Sequence, residues 1–346
     1  MAVAKGAQPI ALGGKTQEKV RSPLRDAWEQ FARNKLSVLS LVYVILVVLI
    51  ALTADIWHNA GLVDDPIYQH RDPTSTFSMA YAEPLTCTQD PKRMNPQWCF
   101  MFGADTLGRD NMSRIVYGSR ISLTVGFVGA TVALIIGIVY GVISGYYGGG
   151  IDNLMMRIVD ILYALPELPI IILFQVFFKT LAAYKEKVGP LGQIMIDIND
   201  SMGGLFFLFI VIGLTSWIGI ARLARGQVLS YKQKEFVEAA RSIGARDRRI
   251  IFTHLLPNII GPIVVVIVGF VPGFIFTESA LSYLGLGVNP PTPSWGQMIA
   301  TAQEGGFLSR PWMILWPTLA LGTTVMAFYL IGNGLRDALD PRLRGE

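Results

Sequence analysis

The sequence predicts an all-α integral membrane protein built from six transmembrane helices. Hydrophobic residues make up 52% of its 346 positions and charged residues only 16%, whereas roughly a quarter of the residues of an ordinary soluble domain are charged. The apolar residues fall in long uninterrupted stretches, and about 20 residues suffice to cross the hydrocarbon core as a helix. A soluble core cannot bury so much apolar surface, so we expect the chain to fold within a bilayer.

Six apolar stretches give the expected spans, and the basic residues beside them give the expected orientation. Lys and Arg concentrate in residues 1–35, in the loop 223–258 and in the tail 335–346. Such basic segments stay in the cytoplasm, and six spans place both termini on one side. We therefore expect cytoplasmic termini and an extracytoplasmic loop at 58–118. The expected spans are 36–57, 119–145, 155–181, 204–222, 259–284 and 312–334.

Residues 1–35 contain a candidate interfacial helix. Ser22 and Pro23 are suited to start a helix, whose Trp28 and Phe31 would lie at the membrane interface beside basic residues. An ordinary juxtamembrane helix is the simpler interpretation. No cleavable signal peptide is expected, because the first apolar stretch is long enough to remain as an anchor.

The outer loop contains both cysteines of the chain, Cys87 and Cys99. An extracytoplasmic compartment is oxidising and permits the two thiols to pair. We favour a disulfide that restrains this long loop. Two unpaired thiols are the alternative.

Neither catalysis nor nucleic-acid binding is expected. His58, His70 and His254 are scattered between an outer and an inner loop, and the sequence has no HExxH motif, cysteine cluster or phosphate-binding GxxxxGK[ST] loop. We therefore expect the chain to hydrolyse no ATP and to bind no metal or cofactor. The net charge of +4 reflects membrane orientation, since the basic residues lie beside spans.

Ionisable residues at membrane depth are costly to bury and are usually functional. Asp160 and Glu167 lie seven positions apart in the third expected span, on similar faces if the helix is regular, although Pro166 and Pro169 are expected to bend it. Arg157 is placed to pair with Asp160 three residues later. Asp160 is therefore a candidate for either a structural ion pair or the transport pathway.

Glu278, in the fifth expected span, is the third candidate pathway residue. It has no partner nearby in sequence. It either lines a polar cavity near the outer end of the span or pairs across helices, and the sequence does not choose between the two.

Small residues in the second expected span predict close helix packing. Gly137, Gly141 and Gly145 repeat at every fourth position, so one helix face is bare backbone that a neighbouring helix can approach. This spacing predicts a tight bundle and carries no particular function.

The loop between the fourth and fifth expected spans predicts a helix–turn–helix. Helix-forming residues run from Lys234 to Gly244, a residue suited to end a helix. Asp247 is placed to cap a second short helix, which Pro257 would end. The charged bend has the shape of a docking element. The plainer interpretation is a solvated loop whose charges only enforce topology.

This loop resembles the EAA motif of ABC-importer permeases. A Glu-Ala-Ala triplet beginning at Glu238 is followed after three residues by Gly244 and then by an apolar helix. The spacing matches, with one departure at His254, where the general pattern has isoleucine. The resemblance implies a cytoplasmic coupling helix that inserts into a groove on a separate ATPase subunit. The implied coupling residues are Glu238, Ala239, Ala240, Gly244, Ala245, Asp247, Leu256 and Pro257.

Further stretches resemble the C-type permease subunit of dipeptide and oligopeptide importers, and the resemblance runs from about 22 to 344. Trp295, in the last stretch, would be an interfacial anchor or lie under a docked binding protein. The outer loop with both cysteines is longer than expected for that family. The stretches are Leu107–Asp110 with Arg114 and Tyr117–Arg120, Asp160–Pro166, Thr277–Gly287 and Pro290–Gly296.

The resemblance implies a type I ABC-importer permease bundle of the bacterial cytoplasmic (inner) membrane. Implied partners are a second homologous permease, two ABC ATPase subunits that use ATP and Mg, an extracytoplasmic substrate-binding protein and a peptide substrate. The same fold with a nickel chelate, glutathione or an oligosaccharide as cargo is the nearest alternative. An ion-coupled secondary transporter is less consistent, because the two halves show no inverted symmetry. A membrane receptor or scaffold is the third alternative.

Overall fold

The computed structural model describes residues 23–71, 79–89, 97–306 and 308–339, and these are predominantly helical. A 3₁₀ turn at Lys185–Lys187 and a π-helical segment at Ile250–Leu255 complete the helical elements. The helices are α1 (Pro23–Arg33), α2 (Lys35–Leu52), α3 (Ala54–Asn59), α4 (Asn111–Tyr147), α5 (Gly149–Ala164), α6 (Glu167–Ala183), α7 (Pro190–Ser201), α8 (Leu205–Thr215), α9 (Ile218–Tyr231), α10 (Glu235–Ser242), α11 (Asp247–Arg249), α12 (Leu256–Tyr283), α13 (Trp295–Glu304) and α14 (Trp312–Leu339), and the strands are β1 (Thr86–Gln89) and β2 (Gln97–Phe100).

Four helical runs in the described residues are each long and apolar enough to cross a membrane: α2, α4, the run Asp247–Tyr283 that contains α12, and α14. Two bent pairs, α5 with α6 and α7 with α8, meet the same criterion only when each pair is taken together. The structure therefore supports up to six spans, which agrees with the predicted fold class.

The third expected span is broken rather than continuous. Leu165 is extended (φ −81°, ψ 137°) and Pro166 follows it, because a residue before proline is disfavoured in the helical region. The axes of α5 and α6 differ by 84°. The predicted bend is confirmed, but Asp160 and Glu167 lie on different helices, so a shared helix face does not apply to them.

The fourth expected span continues past its predicted end. Ser216 and Trp217 keep right-handed helical dihedral angles between α8 and α9. Helical residues therefore extend to Tyr231, well beyond position 222. The preceding α7 meets α8 at 108°, where Gly203 and Gly204 both have positive φ.

Helix α4 forms the centre of the bundle and packs against α9, α12, α2 and α8. The predicted close packing at its glycines is confirmed. An added Cβ atom at Gly137, Gly141 or Gly145 would lie less than 3.0 Å from an atom of α9. At Gly141 the distance to the Ala221 carbonyl oxygen would be 2.3 Å. Side chains at these three positions would force the two helices apart.

The loop between α2 and α4 folds into a small subdomain (described residues 53–71, 79–89 and 97–110), called the outer subdomain below because the expected topology places it outside the cytoplasm. Its hairpin pairs β1 with β2, and Cys87 lies directly opposite Cys99. A disulfide joins the two residues. The hairpin buries Trp98 and Phe100 on its other face. Phe102 then stacks on Trp316 of α14 with ring centroids 4.2 Å apart, so the subdomain rests on the first turns of that helix.

The N-terminal helix α1 packs against α14 through Phe31, which is buried, while Trp28 is exposed. Asn34 separates α1 from α2 and caps α2, because its Oδ1 atom accepts hydrogen bonds from the backbone of Leu36 and Ser37. The expected helix start at Ser22, the preceding basic segment and the tail from residue 340 lie outside the described residues.

Candidate functional site

The turn at Gly244 shapes the loop between α9 and α12 (residues 234–256), called the coupling loop below after the role that the resemblance implies. Gly244 ends α10 with φ +80°, a conformation that favours glycine. The Ala245 N–H donates to the Ala240 carbonyl and the Gly244 N–H to the Arg241 carbonyl, each at 3.0 Å. This pair of bonds is the Schellman arrangement. It fixes the angle at which α10 and α11 diverge.

One face of the coupling loop is solvent-exposed and mixes apolar and cationic groups. Ile243 is 86% exposed and Phe252 is 60% exposed, and a groove beside Phe252 is lined by Arg246, Arg248 and Arg249. Of the Glu-Ala-Ala triplet, Glu238 and Ala239 are exposed while Ala240 is buried. Single exposed apolar side chains are common on protein surfaces, so the cationic groove beside Phe252 is what distinguishes this face.

Asp247 does not cap the second helix, contrary to the prediction. Arg246 occupies the N-cap position, and no side chain caps that end. Asp247 instead accepts a 2.6 Å hydrogen bond at Oδ1 from the hydroxyl of Tyr146, in the last turn of α4. The carboxylate is thus used between elements rather than within its own helix.

Pro257 does not end the second helix either. The chain runs from α11 through the π segment directly into α12, with Pro257 in the first turn of α12. Proline removes a backbone donor and crowds the carbonyl four residues earlier, and a wide π turn relieves that crowding. The Asn258 side chain donates to the His254 carbonyl at 2.6 Å. His254, the departure from the motif, therefore lies inside the π segment, and Leu256 follows it at the start of α12.

The C-terminal end of α4 is bound to its neighbours by a polar cluster. Asp152 of α5 is buried and accepts two hydrogen bonds from Arg225 of α9, at 2.5 Å and 2.6 Å, and one from Ser144 at 2.5 Å. Lys232 donates to the Gly145 carbonyl at 2.9 Å. Sequence reasoning missed Asp152 and assigned Arg225 only to topology. The available signal was their position at the ends of consecutive spans with opposite charge.

Asp160 pairs with a different arginine from the one predicted. Arg222 of α9 approaches its Oδ1 atom at 2.7 Å and also stacks over the ring of Tyr163 at 4.2 Å. Within the described part of the chain, the expected partner Arg157 forms no ion pair with Asp160, although both lie in α5. Asp160 and Glu167 are both exposed on the α5–α6 surface of the isolated chain.

Glu278 lies in the chain interior rather than on a cavity wall. It is 0% exposed, and its hydrogen-bond partners within the described residues include the hydroxyls of Ser282 at 2.7 Å, Ser122 of α4 at 3.3 Å and Ser279 at 3.4 Å. Of the two alternatives for this carboxyl group, the structure favours pairing across helices.

Trp295 is likewise interior and is neither an interfacial anchor nor exposed to a docked protein. It is 1% exposed. Its indole Nε1–H donates to the Ile115 carbonyl at 3.1 Å, and its backbone N–H donates to Ser122 at 3.3 Å. The segment after α12 is therefore bound to the N-terminal half of α4 at Ser122, the same serine that contacts Glu278.

Sequence comparison decides the family of this bundle. Residues 137–345 match the family described as binding-protein-dependent transport system inner membrane component. The chain belongs to that family. The preceding part of the permease, residues 22–73, matches the N-terminal TM domain of oligopeptide transport permease C. Among the described residues of the permease, no group of three His, Cys, Asp or Glu side chains is placed to hold a metal ion.

The permease is similar over nearly its whole length to curated transport proteins. The oligopeptide transport system permease protein OppC of Bacillus subtilis is 36% identical over 95% of this chain and 93% of that protein. OppC of Haemophilus influenzae is 38% identical over 94% and 90%. The glutathione transport system permease protein GsiD of Pectobacterium atrosepticum is 34% identical over 94% of each. A structure of the MetNI methionine ABC transporter aligns with a TM-score of 0.48 at 18% identity, covering 66% of this chain and 98% of that one.

Proposed function

We propose that this permease is the C-type membrane subunit of an ATP-driven importer for di- or oligopeptides. It works with a second homologous permease, two ATPase subunits and an extracytoplasmic binding protein in a bacterial cytoplasmic membrane. The observation that carries this proposal is the coupling loop, in which a Schellman turn at Gly244 presents Ile243 and Phe252 on an exposed, cationic face. Such a face is better suited to contact with a groove on an ATPase subunit than to full exposure to water.

The proposed transport cycle requires no covalent chemistry by this chain. The ATPase subunits bind and hydrolyse ATP with Mg, and their closure moves the docked coupling loops. The spans then exchange between inward-open and outward-open states, because each nucleotide state has a different affinity for the two arrangements. Glu238 and Gly244 act here as the contact and turn residues.

The α5–α6 surface is the proposed wall of the pathway. Asp160 and Glu167 are exposed on it at membrane depth, where the half-buried Arg222 of α9 pairs with Asp160, and charged groups are not stable facing lipid. They are expected to face the second permease or the water-filled space between the two permeases. The bend at Pro166 widens that space near the middle of the span.

Peptide is the proposed cargo because permeases of peptide transport systems are similar to nearly all of this chain. They include oligopeptide and dipeptide permeases of Bacillus subtilis at 36% and 35% identity. Glutathione is the second candidate, since a glutathione permease is 34% identical over a similar length. A nickel chelate or an oligosaccharide remains an alternative for the same fold.

The direct test is reconstitution of the chain with its partners. We expect two ATPase subunits and a second permease to co-purify in mild detergent. Proteoliposomes of that complex, given the binding protein, should take up labelled pentapeptide only when ATP is supplied, and unlabelled glutathione should not compete. Uptake driven by an ion gradient without ATP would instead identify a secondary transporter, and absence of uptake would favour a receptor or scaffold.

The proposed topology has its own test. Single cysteines at position 5 and position 344 in a variant lacking the two native cysteines should be inaccessible to an impermeant maleimide in intact cells. Labelling of either terminus from outside would contradict a cytoplasmic location.

A further inference from the structure

We propose that Tyr146 is the residue through which movement of the coupling loop reaches the membrane helices, by a hydrogen bond from its hydroxyl to Asp247. This inference rests on the function proposed above. Tyr146 is buried in the last turn of α4, 101 positions from Asp247 in sequence, at the end of the bundle that the proposed topology places in the cytoplasm. Its hydroxyl donates to the Asp247 Oδ1 atom at 2.6 Å.

The side chain of Tyr146 contacts both arms of the turn at Gly244. Asp247 begins α11 on one side of the turn, and Arg241 of α10 lies on the other side with its guanidinium 6.0 Å from the centre of the tyrosine ring. Because Gly244 fixes the angle between the arms, one phenol that touches both is displaced whenever the loop moves as a unit. Within the described part of the chain, Tyr146 is thus the residue of a distant span to which the coupling loop is hydrogen-bonded.

The contacts of the neighbouring residues would carry that displacement onward. Ser144 binds Asp152 of α5 at 2.5 Å, and the same carboxylate binds Arg225 of α9. The Gly145 carbonyl accepts from Lys232 at 2.9 Å. Three consecutive residues of α4 therefore connect the coupling loop to α5 and α9. Helix α5 leads to the bend at Pro166, on the α5–α6 surface that is the proposed wall of the pathway.

The length of α4 extends this connection across the membrane. The helix has 37 residues and is roughly 55 Å long at 1.5 Å per residue, more than the hydrocarbon core of about 30 Å. Ser122, in its outer half, contacts both Glu278 and the backbone of Trp295. A shift of the Tyr146 end is thus coupled to the outer end of α12 by a single helix.

The test uses the complete importer and removes only the hydroxyl group of Tyr146. In proteoliposomes containing both permeases, both ATPases and the binding protein, Tyr146→Phe should lower the amount of substrate imported per ATP hydrolysed by about fivefold, the lower end of ordinary coupling between sites. Subunit composition should not change. Tyr147→Phe is the matched control, because Tyr147 is the next residue, is 53% exposed, and should import with the ratio of the unmodified complex.

A double substitution separates the bond from general damage. Asp247→Ala should reproduce the loss, Asp247→Asn should retain most of the ratio because its side-chain oxygen still accepts, and Tyr146→Phe combined with Asp247→Ala should be no worse than either alone. Unchanged import per ATP in both single variants, or fully additive losses, would overturn the inference. If the unmodified complex shows no ATP-driven import, the proposed function itself fails, and this inference fails with it.

Discussion

The hydroxyl of Ser282 donates a 2.7 Å hydrogen bond to the Oε1 atom of Glu278, one helical turn earlier in α12 and out of reach of solvent. Ser122 of α4 approaches the other oxygen of the same carboxyl group at 3.3 Å. Glu278 therefore joins α12 to α4 through neutral hydroxyl groups. We therefore expect loss of this carboxyl group to affect stability and assembly before it affects transport.

Glu278→Ala should destabilise the permease by about 2–3 kcal/mol, because it leaves a cavity and removes the acceptor from buried hydroxyls. Glu278→Gln keeps the size and one acceptor and should lose much less. Thermal stability of the detergent-solubilised complex measures both. Glu304→Ala, at an exposed carboxylate of α13, is the control and should be nearly neutral. Normal stability of Glu278→Ala together with loss of transport would instead indicate that Glu278 lines the transport pathway.

Gly141→Ala should destabilise the permease by about 1–3 kcal/mol, the usual cost of overpacking. Its Cβ atom would lie 2.3 Å from the Ala221 carbonyl oxygen and 2.7 Å from the Ala224 Cβ atom, both on α9. Gly226→Ala is the matched control on the facing helix. No heavy atom lies within 4 Å of that added Cβ, and alanine favours helix over glycine by about 1 kcal/mol. The two substitutions should therefore shift the melting temperature in opposite directions, and equal shifts would contradict the packing.

Substitutions at Gly244 should rank by backbone conformation rather than by size. No heavy atom lies within 4 Å of an added Cβ, while φ is +80°. Asn tolerates that conformation, Ala in a left-handed conformation costs about 1–2 kcal/mol of stability, and Val is the least compatible. Co-purification of the ATPase subunits should decline in that order. A loss that followed side-chain volume instead, with Asn as harmful as Val, would show that the site is limited by space at the docked interface.

Asp110→Asn should change how the stability of the outer subdomain depends on pH. Burial raises the pKa of Asp110 above its ordinary value of 3.8, although hydrogen bonds from Ser113 and the charge of His70 oppose the increase and the charge of Asp64 adds to it. A carboxyl group with a raised pKa in the folded state stabilises that state while protonated, and the contribution is lost as pH rises through the folded pKa.

The unmodified subdomain should therefore become less stable as pH rises from about 4, whereas Asp110→Asn should show a weaker decline. Asn is an equally good N-cap for α4, so the two proteins should be most alike at the acidic end. Hydrogen exchange of the subdomain backbone across this pH range measures the difference. If stability depended on pH in the same way in the two proteins, a raised pKa at Asp110 would be contradicted.

The apolar character of the spans and the turn at Gly244 were predictable because their signals are local. Apolar stretches near 20 residues define membrane helices by their length alone, and Gly244 after a helix-forming run predicts a left-handed helix end. The bend of the third span was also predictable, since Pro166 excludes a helical Leu165. Each of these features depends on residues close together in the chain.

Partner choice was not predictable, because it depends on which helices become neighbours. Asp160 has Arg157 within one turn, yet its structural partner is Arg222 on α9. Asp247 was predicted to cap a helix, yet its carboxylate accepts a hydrogen bond from the distant Tyr146. Asp152 carried no motif at all. Its role follows from the close approach of α4 and α9 that the glycines permit, and that approach is a property of the assembled bundle.

The disulfide of the outer subdomain constrains how the permease is made. Cys87 and Cys99 lie between α2 and α4 in the chain order, so on the proposed topology both thiols must cross the membrane as unfolded chain during synthesis. They can be oxidised only after they reach the far side. The contact of the hairpin region with α14 through Phe102 and Trp316 can form only after α14, the last span, has been inserted. Maturation of this subunit therefore depends on thiol-oxidising capacity outside the cytoplasm as well as on the insertion machinery.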